Sequence, residues 1–190
     1  MIHEKQLFLQ KFIHQPKQIG SIIPSSMLLA RTMTDAVPWD QVRSAAELGA
    51  GTGAITDRIQ QVAAPSAKVF LFEQDQIMRE LLASNYPDFL CYPSAEEILP
   101  VIRQHGVTHL DCILSGLPFF NFPQTMRDQI LGQIEASLAP GGWFIAFQYS
   151  LQMKKQLSSR FEIEDIKFVL LNLPPAFVYV CRAKGNLHEC

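Results

Sequence analysis

The sequence predicts an α/β fold: a seven-stranded, mostly parallel sheet with helices on both faces, closed by an antiparallel hairpin near its carboxyl end. Three observations carry that expectation. From Arg43 onward, short apolar runs alternate with segments of helical periodicity. A glycine-rich turn, Gly49-Ala50-Gly51-Thr52-Gly53, links the first apolar run straight to the first helical segment. The last two apolar runs are joined only by Asn172-Leu173-Pro174-Pro175, too short a link to hold a crossover helix.

In chain order, Ser44–Leu48 reads as the first strand and Ala54–Val62 as the helix after the glycine turn. Lys68–Phe72 (KVFLF) is a second strand, and residues 76–83 are helical until Asn85, Tyr86 and Pro87 stop them. Residues 89–92 make a short third strand, followed by a helix over 95–104. Residues 110–114 are the fourth strand, 124–138 a long helix and 143–149 the fifth strand. The runs at 166–171 (IKFVLL) and 176–181 (AFVYVC) complete the sheet as its hairpin. No internal repeat or linker interrupts this order, so the 190 residues are expected to form one domain. Residues 1–40 are its amino-terminal arm and 41–190 its core.

Composition excludes several classes. A hydrophobic share of 48% with 18% charged residues argues against disorder. Sixteen Lys and Arg against 18 Asp and Glu leave a net charge of −2, which lacks the clustered cations of a wide nucleic-acid interface. No run of about 18 apolar residues is present to cross a membrane. His3, Glu4, Gln6 and Gln10 interrupt any apolar segment of a secretory signal. Cys91, Cys112, Cys181 and Cys190 form no C-x-x-C pair, and the five histidines complete no zinc pattern with them. A cytoplasmic protein with free thiols and no metal is expected.

The glycine turn is the first chemical signal. Glycines there allow positive φ and let backbone N–H groups approach a ligand. Twenty residues past Gly53, at the end of the second strand, stands Glu73, where a doubly wound fold places the carboxylate that accepts from ribose hydroxyls. Residues 49–54 also fit the G-x-G-x-x-A dinucleotide fingerprint. Glu47 separates the two cofactors, because an acid two residues before the first glycine suits a cationic ligand and is a poor neighbour for pyrophosphate. The pattern E-x-G-x-G-x-G resembles the first motif of S-adenosylmethionine (SAM) methyltransferases. In that resemblance Glu47 faces the aminoacyl end, Gly49, Ala50, Gly51, Thr52 and Gly53 wrap the methionine part, and Glu73 holds the ribose. Ser94 stands after the third strand where such enzymes carry an adenine-binding Asp; it can offer one hydrogen bond, and Ala95 its backbone N–H. Ser94 is equally a helix N-cap with Glu97 as its capping-box partner, and the two roles are compatible.

The fourth strand runs into Ser115-Gly116-Leu117-Pro118-Phe119, where a parallel sheet places its ligand. Enzymes that methylate the adenine amino group carry Asn or Asp, then x-Pro and an aromatic, at this point. Gly116 takes the polar position here, while Pro118 and Phe119 persist. Together Pro16-Lys17-Gln18-Ile19-Gly20-Ser21-Ile22-Ile23-Pro24-Ser25-Ser26, ELGAGTG, SGLPF and NLPPAFVYVCRA resemble the bacterial phospholipid N-methyltransferases over nearly the whole chain. That family shares its core with the ribosomal RNA adenine dimethyltransferases and lacks their second domain.

The resemblance implies a class I methyltransferase fold and transfer of methyl groups from SAM to phosphatidylethanolamine, in up to three rounds. It implies further cofactor contacts from Ser21, Ile23, Gln74 and Ser115, with residues 20–26 crossing the site as a lid and Ser25 or Ser26 capping the next helix. Ser115, Gly116, Leu117, Pro118 and Phe119 then line the transferred methyl. Tyr149 either orients the amine or makes a cation–π contact with methylated intermediates, or else packs in the core with its hydroxyl in water. The alternatives are methylation of an RNA adenine or of a small soluble amine.

Residues 2–15 place Phe8, Leu9, Phe12 and Ile13 on one helical face, and Lys5, Lys11 and Lys17 outweigh Glu4 in the first 20 residues. Such a helix either lies on an anionic membrane or docks on the core. A phospholipid substrate, peripheral membrane association through this helix and no nucleic-acid partner are therefore expected.

Overall fold

The computed structural model describes residues 22–185, with side chains from Met27 onward. Five strands, β1 (Ser44–Leu48), β2 (Lys68–Phe72), β3 (Leu90–Tyr92), β4 (Leu110–Ser115) and β5 (Leu138–Gln148), pair in parallel. β6 (Phe161–Val169) and β7 (Ala176–Ala183) form the expected antiparallel hairpin, and β7 joins it to β5. The order across the sheet is β3-β2-β1-β4-β5-β7-β6. Strand order reverses between β1 and β4, which opens a crevice at their carboxyl ends.

The parallel strands are apolar on both faces, and successive side chains enter different layers. Ala45, Val69, Leu71, Cys112, Leu114 and Ile145 enter one layer, under α1 (Ile22–Thr34), α2 (Ala54–Val62) and α3 (Gln76–Asn85). Ala46, Phe70, Phe72, Ile113, Phe144 and Ala146 enter the other, under α4 (Ile98–Gln104), α5 (Gln124–Ser137) and α6 (Lys154–Arg160). Two polar contacts fix the ends. Trp39 Nε1 donates to the Thr34 carbonyl at 2.8 Å, closing α1. Asp111 Oδ2 accepts from the Arg43 and Ser44 amides at 2.8 and 3.0 Å, pinning the entry of β4 to that of β1.

Several boundaries differ from those read in the sequence. α1 already begins at Ile22, so Ser25 and Ser26 lie within the helix rather than ahead of its first residue. Pro24 is tolerated there because first-turn amides have no helical partner. Residues 95–97 form a 3-10 turn before α4. β5 begins at Leu138 and ends at Gln148, so Tyr149 lies just past the strand. β6 starts at Phe161 and stops at Val169, which leaves Leu170 and Leu171 in the tip. The expected helix over 2–15 and the segment from Pro16 to Ser21 lie outside the described residues.

Candidate active site

The register gathers the site. Tyr92, Phe72, Leu48, Ser115 and Ala146 form one row across β3, β2, β1, β4 and β5. Ser94, Glu73, the glycine turn, Gly116 and Tyr149 therefore all emerge just beyond that row, at one end of the sheet.

After β1 the chain turns sharply, with the Gly49 and Ala50 amides donating to the Phe72 carbonyl at 2.7 and 3.3 Å and the Gly53 amide to the Ala50 carbonyl at 2.9 Å. Gly49, Gly51 and Gly53 have φ of 73°, 55° and 89°, in the left-handed region. A Cβ on Gly49 would also stand 2.9 Å from Leu117 Cδ2, so a side chain there would push the Leu117 tip aside. Ala50 and Gly53 are buried and Thr52 is exposed at the tip.

Glu47 is fully buried at the end of β1. Its Oε2 accepts from Thr56 Oγ1 at 2.7 Å, while Oε1 has no hydrogen-bond partner among the described residues. Burial pushes this carboxyl up to about 8; the Thr56 hydrogen bond opposes the rise, and the charges of Glu73 and Asp57 add to it. A buried acceptor without a partner fits a cationic group such as the ammonium of SAM.

Glu73 is half-buried, and both of its oxygens are engaged, Oε2 by the Gly51 amide at 2.8 Å and Oε1 by the Asp75 amide at 2.9 Å. It braces the glycine turn against β2 and retains lone pairs for further donors. Gln74 is exposed, and Asp75 caps α3 by accepting from the Met78 amide at 2.9 Å. Ser94 Oγ accepts from the Glu96 amide at 3.2 Å, so it is an N-cap, with Glu97 donating its own amide to the Ser94 carbonyl. Ala95 is half-buried beside it.

Across the crevice, the Gly116 amide donates to the Leu48 carbonyl at 2.8 Å, and a Cβ on Gly116 would lie 3.1 Å from the Gly49 carbonyl oxygen. The two loops thus touch through facing glycines. Ser115 is buried, its Oγ accepting from the Leu117 amide at 3.2 Å. Gln148, which the sequence reading passed over, donates Nε2 to the Leu117 carbonyl at 2.9 Å. Its one signal was a polar residue ending the apolar run WFIAFQ. Pro118 is half-buried above Phe119. Phe119 itself is fully buried, packed edge-on against Phe122 and Phe144. The 3-10 turn at Phe119–Asn121 drives that ring beneath the loop and leaves Phe120, not Phe119, at the surface. Tyr149 is partly exposed, edge-on to Phe147 at 5.6 Å. Ile23 belongs to α1, and Ser21 lies outside the described residues.

No protein-family model matches the chain. An ornithine lipid N-methyltransferase from Singulisphaera acidiphila is 32% identical over 182 residues, which cover 93% of this chain and 94% of that protein. Among solved structures, the N-methyltransferase NodS of Bradyrhizobium japonicum aligns with a TM-score of 0.69 at 10% identity, over 85% of this chain and 97% of its own. The 1,6-didemethyltoxoflavin-N1-methyltransferase of Burkholderia thailandensis, solved with 1,6-didemethyltoxoflavin and S-adenosylhomocysteine, aligns at 0.67 and 13% identity over 97% and 91%. These two establish the fold, and the relative at 32% identity establishes the family. With its glycine turn, buried acid and methyltransferase fold, the chain belongs to the lipid N-methyltransferase family and is a SAM-dependent enzyme of class I architecture.

Proposed function

We propose that this enzyme methylates the primary amine of a membrane aminolipid, with an ornithine lipid as its acceptor. The relative at 32% identity supports that choice of lipid. The observation that carries the aliphatic amine is Gly116. Its missing side chain removes the planar grip used on adenine, and the nearby Gly49 carbonyl crowds out a larger residue. Phosphatidylethanolamine is the second reading, supported by the SGLPF and NLPPA segments.

In this reading Glu47 receives the cofactor's ammonium, residues 49–53 its aminoacyl part, Glu73 the ribose hydroxyls, and Gln74, Ser94 and Ala95 the adenine. The family resemblance adds cofactor contacts from Ser21 and Ile23. The cofactor supplies a sulfonium methyl group. Ser115, Gly116, Leu117 and Pro118 shape the wall that the acceptor meets. Gln148 Nε2 and the Phe119 amide together occupy the Leu117 carbonyl, and so hold in place the loop that forms this wall. An alkylammonium ordinarily holds its proton to a pH of about 10, and a low-dielectric mouth lowers that value and exposes the lone pair. Positioning and desolvation then carry the rate.

Purified enzyme, radiolabelled SAM and vesicles holding either aminolipid test this. Label entering the ornithine lipid is the expected outcome, and label confined to phosphatidylethanolamine selects the second reading. Label reaching only added RNA or a soluble amine, with S-adenosylhomocysteine binding intact, rejects both.

A further inference from the structure

Three connections at the carboxyl end of the sheet leave apolar side chains in solvent. Phe120 follows β4, and Tyr149 and Leu151 follow β5. The β6–β7 tip carries Phe168, Leu170, Leu171 and Leu173, which are 54%, 65%, 77% and 57% exposed. This tip stands at the active-site end, since Phe177 pairs with Gln148, the last residue of β5, and Ala176 pairs with Val169. Because β4, β5, β7 and β6 are neighbours, the three connections lie side by side along one half of the rim.

The tip is built to present its leucines. No charged residue occurs from Phe168 to Cys181. Its one polar side chain, Asn172, is buried and turned inward, donating Nδ2 to the Pro174 carbonyl at 2.6 Å, while its amide donates to the Val169 carbonyl. Exposed Lys154 and Lys155 follow Leu151 at the start of α6, and Lys167 stands at the base of the tip. Apolar residues flanked by lysines suit the boundary between anionic headgroups and acyl chains. The patch is also continuous with the site, because the loop that carries Gly116 carries Phe120 as well.

We infer that the β6–β7 tip, with Phe120 and Leu151, is a bilayer-docking surface that seats the mouth of the site on the headgroup layer. This rests on the aminolipid reading above. The surface commits to lipid because the acceptor amine lies at a bilayer surface and the patch borders the crevice that must receive it.

The test compares the full-length enzyme with a variant carrying Leu170→Ser, Leu171→Ser and Leu173→Ser, all at exposed positions. Co-sedimentation with phosphatidylglycerol-containing vesicles should fall about tenfold or more in the variant, with S-adenosylhomocysteine affinity unchanged. Methylation of vesicle lipid should fall with it. Methylation of the same headgroup on short acyl chains, kept below micelle concentration, should not. A Leu171→Trp probe should shift its emission to the blue on vesicles and be quenched by brominated acyl chains. Unchanged vesicle binding by the serine variant, or an unshifted probe, rejects the surface even if lipid is methylated. Loss of a dimer in light scattering, with vesicle binding intact, assigns the leucines to a second copy and rejects it equally. Vesicle binding through the tip without methylation of any lipid rejects the aminolipid reading and leaves the surface standing.

Discussion

Glu47 shows how a single side chain ties folding to ligand binding. Its carboxyl, ordinarily near 4.5, is raised to about 8 by burial, so at neutral pH the free protein holds it protonated. Stability from this group is full below about 4.5 and is lost as pH climbs through about 8, where a charge must be buried. A cationic partner on Oε1 reverses the preference and expels the proton on binding. Affinity for S-adenosylhomocysteine should therefore rise by up to about tenfold per pH unit toward pH 8 and then level off. Calorimetry in buffers of different ionisation enthalpy should record proton release below pH 8. Glu47→Gln should abolish the release, weaken binding and make the free protein steadier in alkali; proton uptake by the parent protein would contradict the assignment. Glu47 was legible as an acid two residues before the first glycine, but its unpartnered oxygen depends on how Thr56 reaches it from α2. Gln148 was less legible still, because its role needs β5 and the loop after β4 side by side. For Gln148→Ala we expect kcat to fall by up to about tenfold while the KM for SAM holds, the loss expected when one neutral hydrogen bond no longer positions the loop after β4. A rise in the KM for SAM at constant kcat would instead place Gln148 in cofactor binding.

At the scale of elements, the parallel strands and their helices were readable because each is a short apolar run or an amphipathic segment with a clear stop. The edge was harder. β6 reads FEIEDIKFV, and as an edge strand it exposes Glu162, Glu164 and Asp165 while a register irregularity between Ile163 and Asp165 breaks its alternation. Its charged face also discourages pairing with another chain. α6 has seven residues, KKQLSSR, with Leu157 as their single apolar member, and so gives no periodic signal. What holds it is tertiary. Leu157 is fully buried in the layer with Phe144, Phe161 and Tyr179, and Arg160 bridges to Asp128 and Glu135 on α5. Those ion pairs are partly exposed and are worth about 1 kcal/mol or less. Leu157→Ala should accordingly cost about 2 to 5 kcal/mol in denaturant unfolding, and Arg160→Ala about 1 kcal/mol or less. A larger loss from the arginine than from the leucine would mean that charge, and not burial, docks α6.

Over the whole molecule, a net charge of −2 says little about membranes, because Lys154, Lys155 and Lys167 stand with exposed leucines along one rim. The sequence offered a different anchor, the apolar face of residues 2–15, since helical periodicity is visible in one dimension. Exposure at a hairpin tip is not visible there, because Leu170 and Leu171 read as the continuation of β6 until pairing shows where the strand stops. The two anchors can be separated. Every side chain that the core layers bury among the described residues lies between Leu29 and Cys181. The test deletes residues 1–20 and first checks that the shortened protein unfolds cooperatively and keeps near-parental far-ultraviolet circular dichroism. If the tip docks independently, the shortened protein should keep measurable vesicle binding, and adding the three Leu→Ser changes should remove what remains. Were the deletion alone to abolish vesicle binding in a folded protein, the amino-terminal arm would be the membrane anchor and the leucines would have to meet another surface.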